Sequence, residues 1–352
     1  MLSNVVRIPF WTYQLFTKAK SFKANAVIGS PLLNRLGLHV VRLLLAHGVA
    51  RFKWLLLSPC APRKYRRDFQ KEGFVLLENF LPPQEFQQLE EGFANCQSPV
   101  RECVQGDTLP HRIFLDAPTA EQISGCRSLL ANRLYQRLLA YCSGRLTRPH
   151  FYVQCVKNHF VAGGDDPQKV MHSDTFHPNI KAWLFVSDVD ESNGPFTYVP
   201  SSNRLTWRRI KWEYARSLVA RDIGDGYSEK GSFRVSNDDL ERLGLPQPVG
   251  FKVRRNTLVI ANTFGFHGRG PAAETSNRYA LYATSRGNPF NPFPGVSSRY
   301  LARISQHVAQ AFWLYQDNRA AKRNSRSSWH IVPSEEFHSL PAEEPEPRQS
   351  GE

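Results

Sequence analysis

The first 67 residues contain no aspartate or glutamate, although they contain twelve lysines and arginines. The whole chain of 352 residues has a formal net charge of +14, so most of the excess positive charge lies in this segment. A strongly basic chain can indicate a nucleic-acid binder when the charge belongs to a recognised binding module. We find no such module, although "WRRIKWEYAR" is basic and aromatic. We therefore predict no nucleic-acid partner.

The six cysteines form no CxxC pair and no dense repeat. A chain of this length does not need disulfides to fold, so we expect mostly reduced thiols. The N-terminus lacks the basic, apolar and small-residue succession of a cleavable secretory signal, which argues against a secreted protein. We predict a cytoplasmic protein, with membrane association and organellar targeting left open. With 41% hydrophobic and 22% charged residues, the composition is that of a folded protein.

The apolar stretch 36–57 approaches the length of a membrane span. It contains Arg42 and Arg51, and each cation near a bilayer centre would cost roughly 2.5–3.5 kcal/mol on insertion scales. We therefore expect an amphipathic helix, with Arg42 and Lys53 on one side and Leu44 and Leu55 on the other. For the basic extension 1–67 three interpretations stay open. They are attachment to an anionic membrane surface, a helical pair packed on the main domain with its basic side in water, and an organellar targeting sequence.

The main domain is predicted to begin near Asp68, where "DFQKEGFVLLENFLPPQEFQQLEEGF" indicates a strand, a turn and a helix opening near Pro83. Short β-rich runs follow, at 151–156, 181–187, 196–199, 257–261 and 279–284. This pattern predicts a mainly antiparallel β fold with flanking helices, an α+β class. The predicted domain covers 68–332, with an insertion at about 201–250 that includes the helix "TWRRIKWEYARSLVA". The acidic, Pro/Glu-rich segment 333–352 is expected to be a disordered tail.

The segment "MHSDTFHPNIKAWLFVSDV" contains the first residues with clear chemical potential. Side chains two apart on an extended segment point the same way, so His172 and Asp174 can present an imidazole and a carboxylate to one point. His267, which follows the apolar run 257–261, can supply a third ligand. Two histidines and one carboxylate form the facial triad of non-haem Fe(II) oxygenases. Spacing alone is weak evidence, because a histidine beside apolar residues is more often structural.

Four features in order resemble the phytanoyl-CoA dioxygenase family of Fe(II)- and 2-oxoglutarate-dependent oxygenases, over roughly residues 68–293. The segment "EGFVLLENFLPPQEF" resembles the family's N-terminal strand and helix, and "DVDESNGPFTYVPSSNR" resembles its "NGP…VPGSH" segment. They flank the His172 and Asp174 motif at the expected places. His267 is followed by Arg278 at the family's interval of about eleven residues.

The resemblance implies a double-stranded β-helix, or cupin-like jelly-roll, with iron at its open end. It implies that His172, Asp174 and His267 hold Fe(II), and that Arg278 pairs with the far carboxylate of 2-oxoglutarate. The implied reaction uses O₂ to hydroxylate a small or amphiphilic organic substrate, with release of succinate and CO₂. Because Asp174 is present, hydroxylation is favoured over the halogenation performed by relatives that lack this carboxylate.

Further residues are candidates for the cosubstrate pocket. Lys181 and Trp183 share one face of the strand after the HxD motif. We expect Lys181 either to contact the cosubstrate or an anionic substrate group, or to reach solvent from the strand end. Arg269 stands where some relatives have a small hydroxyl residue, and it is either a second carboxylate partner or faces the substrate. His177 is interpreted as a loop residue.

Functions of two classes remain as alternatives. The first is the oxygenase, and the basic N-terminus and insertion suggest for it a lipid-like substrate with an anionic group. The second is a non-catalytic jelly-roll protein that docks on a membrane or an acidic partner.

Overall fold

Two antiparallel sheets form the centre of the computed structural model, which describes residues 7–160 and 164–341. The strands are β1 (Phe74–Leu77), β2 (Val100–Glu102), β3 (Thr108–Phe114), β4 (His150–Asn158), β5 (Ile180–Phe185), β6 (Phe196–Tyr198), β7 (Val249–Gly250), β8 (Thr257–Asn262), β9 (His267–Arg269), β10 (Ser276–Ser285) and β11 (His330–Val332). The larger sheet has the order β1-β8-β5-β10-β4-β3-β2-β11, and the smaller has the order β7-β6-β9. Each predicted β-rich run is a strand, which confirms the mainly β class.

The two sheets enclose one apolar layer between them. Phe185 and Val259 from the larger sheet pack with Phe196 and Tyr198 from the smaller one. Alternation along each strand sends every second side chain into this layer, as expected for two facing sheets. The arrangement confirms the predicted jelly-roll.

Helices cover the outer face of the larger sheet. They are α4 (Arg63–Glu72), α5 (Pro83–Ala94), α6 (Ala117–Gln122), α7 (Cys126–Ala131) and α8 (Arg133–Ser143). Helix α5 begins at Pro83 with Glu85 in its first turn, as predicted. Leu89 and Leu138 pack in the same core as Leu184 of β5. The six cysteines are all unpaired thiols, in agreement with the sequence prediction.

The N-terminal helices are α1 (Ile8–Gln14), α2 (Pro31–Arg35) and α3 (Leu38–Leu56). Helix α3 packs on the domain, but the interpretation with its basic side in water is wrong, because His39, Arg42 and Lys53 are buried. The Arg42 guanidinium donates to the carbonyl oxygens of Leu15 at 2.9 Å and Ala19 at 2.7 Å, which offsets the cost of burying it. Within the described ranges, no helix has the length and apolarity needed to span a bilayer.

The insertion between β6 and β7 supplies the surface on which the N-terminal helices rest. It contains α9 (Trp207–Val219) and α10 (Asn237–Leu243), and α9 coincides with the predicted helix. Glu213 of α9 accepts from Arg209 at 2.9 Å and is paired with His39 of α3 at 2.8 Å. All three side chains are at most 4% exposed. This buried network joins the N-terminal extension to the insertion.

The C-terminal region differs from the predicted tail. Helix α11 (Arg299–Ala321), which the sequence analysis did not predict, precedes β11. The predicted disorder is wrong for residues 333–341, because Phe337 is fully buried in the core beneath the larger sheet. Lys157 of β4 also donates to the carbonyl oxygen of Glu336. Residues 342–352 lie outside the described part of the chain.

Candidate metal centre

The structure brings His172, Asp174 and His267 together at one end of the sandwich. His267 opens β9, and its backbone exchanges two hydrogen bonds of 2.9 Å with the backbone of His172. The Nε2 atom of each histidine lies 3.6 Å from Asp174 Oδ1. One ligand atom from each of the three residues lies within 4.8 Å of the other two. Two distant segments therefore converge on a single point.

Both imidazoles are oriented with Nε2 toward that point. His172 Nδ1 lies 2.8 Å from the carbonyl oxygen of Val170, and His267 Nδ1 lies 2.9 Å from that of Gly265. Because a carbonyl oxygen only accepts, each Nδ1 carries the proton and each Nε2 has a free lone pair. Burial, together with the neighbouring His267, lowers the pKa of His172 to about 4. His267 Nε2 is buried without a hydrogen-bond partner. This donor set fits a divalent metal ion.

Asp174, the third residue of the cluster, is ionised. Burial alone would raise its pKa, but the neighbouring Lys181 ammonium holds the pKa of Asp174 well below its usual value. Lys181 Nζ lies 2.8 Å from Asp174 Oδ2, and the lysine side chain is only 15% exposed. The expectation that Lys181 reaches solvent is therefore wrong. The lysine instead pairs with the Asp174 carboxylate beside the two histidines.

A cavity of about 260 Å³ lies between the triad and the inner face of the larger sheet. Arg278 of β10 lines it, is buried, and donates to the carbonyl oxygen of Gly194. Burial lowers the pKa of Arg278 to about 9, which still leaves the guanidinium charged at neutral pH. Among the described residues no carboxylate pairs with it. Its remaining N–H groups are available to an anion in the cavity.

Arg269 and Trp183 line the same cavity in different ways. Arg269 Nη1 lies 2.5 Å from Oδ2 of the fully buried Asp166, so its charge is already balanced within the protein. Trp183 packs on Phe196 with ring centroids 4.6 Å apart and forms an apolar wall. His177 lies in the loop before β5, as predicted.

One cavity residue was missed by the sequence analysis. Arg112 of β3 stands opposite Gln154 of β4, and both line the cavity. Its guanidinium lies 4.5 Å from the ring centres of Tyr282 and Trp329, and its buried Nε has no hydrogen-bond partner. Recognising "TLPHRIF" as a strand would have placed Arg112 on the inner face.

Replacing Gly265 by alanine is expected to lower Fe(II) affinity about 10- to 100-fold, the usual range for groups that orient a metal ligand. A Cβ atom at Gly265 would stand 1.8 Å from the Tyr198 hydroxyl oxygen, which is held by a 2.9 Å bond to the Asn262 carbonyl. The backbone would have to shift. Because the Gly265 carbonyl orients His267, this shift would also move the His267 imidazole. Anaerobic Fe(II) titration measures the change.

The matched control is Gly48→Ala, because a Cβ atom at Gly48 in the middle of α3 meets nothing within 4 Å. This change should leave Fe(II) affinity unaltered and raise stability by about 0.5–1 kcal/mol. If Gly265→Ala and Gly48→Ala bind Fe(II) equally well, the close packing at Gly265 does not position His267.

Three comparisons relate this chain to known proteins. The family model described as phytanoyl-CoA dioxygenase (PhyH) matches residues 69–233, a range that contains His172 and Asp174 but ends before His267 and Arg278. A search of curated proteins found no match.

The solved structures similar to this chain include the following three proteins. The epimerase SnoN in complex with Fe³⁺, alpha ketoglutarate and nogalamycin RO is 18% identical, with 63% of this chain and 81% of that chain covered and a TM-score of 0.41. The carbocyclase SnoK from nogalamycin biosynthesis is 16% identical, with coverage of 69% and 90% and a TM-score of 0.38. HygX from Streptomyces hygroscopicus, with nickel and 2-oxoglutarate bound, is 16% identical, with coverage of 63% and 86% and a TM-score of 0.37. Such low scores and identities give no information about substrate. The family-model match confirms, for residues 69–233, the resemblance to the phytanoyl-CoA dioxygenase (PhyH) family.

Proposed function

We propose that this protein is an Fe(II)- and 2-oxoglutarate-dependent oxygenase whose iron is held by His172, Asp174 and His267. The observation that carries the proposal is the set of three ligand atoms within 4.8 Å, with both Nε2 atoms free; His172 and Asp174 lie in the range that matches the PhyH family model. The bound iron would activate O₂ and couple its reduction to the conversion of 2-oxoglutarate into succinate and CO₂. A non-catalytic binding protein has no need of such a donor set, and nothing in the site favours that alternative.

The residues around the triad have distinct proposed roles. Arg278 binds the far carboxylate of 2-oxoglutarate, since its guanidinium is buried, charged and without an acidic partner in the described chain. Lys181 holds Asp174 in place, and Trp183 gives the cavity an apolar wall. Arg269 is neutralised by Asp166 and shapes the pocket. The reaction we propose is hydroxylation of a small or amphiphilic organic molecule.

An anaerobic titration with Fe(II) and then 2-oxoglutarate tests this function. The chelated complex should give a visible charge-transfer band. Arg278→Ala should need roughly 10- to 100-fold more 2-oxoglutarate, because a hydrogen bond to a charged group contributes about 1.5–3 kcal/mol. The exposed Arg255→Ala is the matched control and should titrate like the unaltered protein. A folded, iron-reconstituted protein that gives no band would contradict the proposal.

We also propose that the N-terminal extension docks on an anionic lipid surface. The basic side of α3 is buried. Twelve large apolar side chains between residues 7 and 57 are exposed, namely Ile8, Phe10, Tyr13, Phe16, Leu32, Leu36, Val41, Leu44, Leu45, Phe52, Leu55 and Leu56. An apolar surface of this extent on a segment with no acidic residue suits insertion at a negatively charged membrane. A lipid-like substrate fits this location, and the cytoplasmic location stays a prediction.

Sedimentation with vesicles tests the docking. The protein should sediment with phosphatidylcholine vesicles that contain phosphatidylserine, and much less with phosphatidylcholine alone. Leu44→Glu should weaken binding about tenfold, because an inserted leucine contributes about 1.5–3 kcal/mol. Val249→Glu, on the exposed edge strand β7, is the control. Protein that stays in the supernatant with both vesicle types would rule the docking out.

A further inference from the structure

A second cavity, of about 460 Å³, adjoins the iron site. Asp174 and Arg286 line both this cavity and the smaller one beside Arg278. One side of it is formed by the loop that follows Asp174, including Thr175 and His177. The opposite side is formed by the N-terminal segment between Gln14 and Asn25. A molecule in this space would therefore lie next to the proposed metal ligand Asp174.

The N-terminal side of the cavity is held firmly. Lys23 donates from its backbone nitrogen to the carbonyl oxygen of Glu229 at 3.0 Å, and its Nζ lies 3.0 Å from Glu229 Oε1. Asn25 Oδ1 accepts from the backbone nitrogen of Ile28 at 2.9 Å. The Phe16 carbonyl oxygen accepts from Asn288, in the turn after β10, at 2.9 Å. These contacts make the segment a fixed wall of the cavity.

The charges on this cavity are unbalanced. Four cationic side chains line it, from Lys18, Lys20, Lys230 and Arg286. Asp174 is its acidic residue, and the Asp174 carboxylate is already engaged by Lys181. Among the described residues, Lys18, Lys230 and Arg286 form no ion pair with a carboxylate. A cavity lined by unpaired cations favours an anionic occupant.

We propose that the second cavity is the substrate site and that the substrate carries a phosphate or carboxylate group held by Lys18, Lys230 and Arg286. The carbon to be oxidised would then point toward Asp174 and the metal. This inference rests on the proposed oxygenase function for the position of the iron. The wall between Gln14 and Asn25 lies outside the family match at 69–233, so this half of the site belongs to the N-terminal extension of this chain.

The uncharged lining completes the chemical description of the substrate. His177 is buried, and its pKa is lowered to about 4, chiefly by burial, so it is neutral at pH 7. Its Nδ1 lies 3.0 Å from the carbonyl oxygen of Pro178, which leaves Nε2 as an acceptor. Asn25 and Asn179 add amide groups to the lining. The body of the substrate would therefore meet uncharged hydrogen-bonding groups as well as the basic ones.

Ligand-observed proton NMR tests the inference on the full chain loaded anaerobically with Fe(II) and saturating 2-oxoglutarate. The probes are hexyl phosphate, heptanoate and uncharged hexanol. Paramagnetic Fe(II) should broaden the alkyl signals of at least one anion, whereas a Zn(II)-loaded sample should not, and hexanol should stay sharp. Comparing the two anions identifies which headgroup the site prefers. Broadening of neither anion, or equal broadening of hexanol, would overturn the proposal.

The charge-transfer band of the same samples separates the two hypotheses. A sample with the band but without anion binding refutes the substrate site and leaves the oxygenase function standing, whereas a sample without the band refutes the function itself. The double variant Lys18→Gln, Lys230→Gln should weaken anion binding about fivefold to tenfold. Lys64→Gln, on an exposed part of α4, is the matched control and should bind as the unaltered protein does. If the double variant and Lys64→Gln bind the anion with equal affinity, the proposed substrate site is also refuted.

Discussion

Replacement of Asp174 by alanine is expected to abolish the charge-transfer band of the Fe(II)–2-oxoglutarate complex. The change removes one of three metal ligands, and it also removes the anion that balances Lys181, which lies 2.8 Å away and is 15% exposed. A largely buried ammonium group would then face the two histidines without a counter-ion and repel a divalent cation. We expect the charge-transfer band to be absent at every Fe(II) concentration at which the unaltered protein is saturated. The titration is run without chloride, which could occupy the vacated coordination position.

The control for this variant is Asp188→Ala, because Asp188 is a half-exposed acid that pairs with Arg254 at 3.3 Å on the surface. Its band should equal that of the unaltered protein. A full band in Asp174→Ala would mean that iron is held by other residues, and the proposed triad would have to be abandoned.

Replacement of Glu213 by leucine is expected to lower the free energy of unfolding by about 3–5 kcal/mol, the usual cost of removing one partner from a buried ion pair. Burial alone would raise the pKa of Glu213, but Arg209 and His39 lower it below its ordinary value, so the carboxylate is charged. Its loss leaves the Arg209 guanidinium, which is 2% exposed, without a counter-ion. Equilibrium unfolding in urea measures the change.

Glu121→Leu provides the comparison, because Glu121 pairs with Arg127 at 3.0 Å in an exposed position. A surface pair of this kind contributes little. If Glu213→Leu alters stability no more than Glu121→Leu does, the buried network does not hold the N-terminal extension on the insertion.

His172, Asp174 and the central strands were predictable because their signals are local. The HxD spacing places two ligands on one side of an extended segment, and short β-rich runs mark β4, β5, β8 and β10. His267 was proposed as a third ligand from its place after the apolar run 257–261, whereas Arg278 required the resemblance to a family, since it has no local signature of its own. Arg112 was not predicted as a cavity residue because β3 contains Pro110 and His111 among its apolar residues. Its sequence therefore shows no clear alternation of apolar and polar residues.

The orientation of α3 could not be predicted for a different reason. Helical periodicity separates the side with Arg42 and Lys53 from the side with Leu44 and Leu55, but it does not say which side has a partner. Arg42 donates to the backbone carbonyl oxygens of Leu15 and Ala19. Because every residue has a backbone carbonyl, the sequence does not indicate which of them accepts. The burial of Phe337 was not predicted either, because it is a single aromatic residue in a segment rich in proline and glutamate.

The buried contact between His39 and Glu213 has a consequence for how this enzyme is divided into parts. A fragment that starts at residue 69, where the family match begins, would keep His172, Asp174 and His267. It would also lack the helices that cover α9, and the second cavity would be open on one side. An inactive fragment of this kind would therefore reveal nothing about the activity of the intact protein. The segment that matches the family model is smaller than the unit that folds together in this chain.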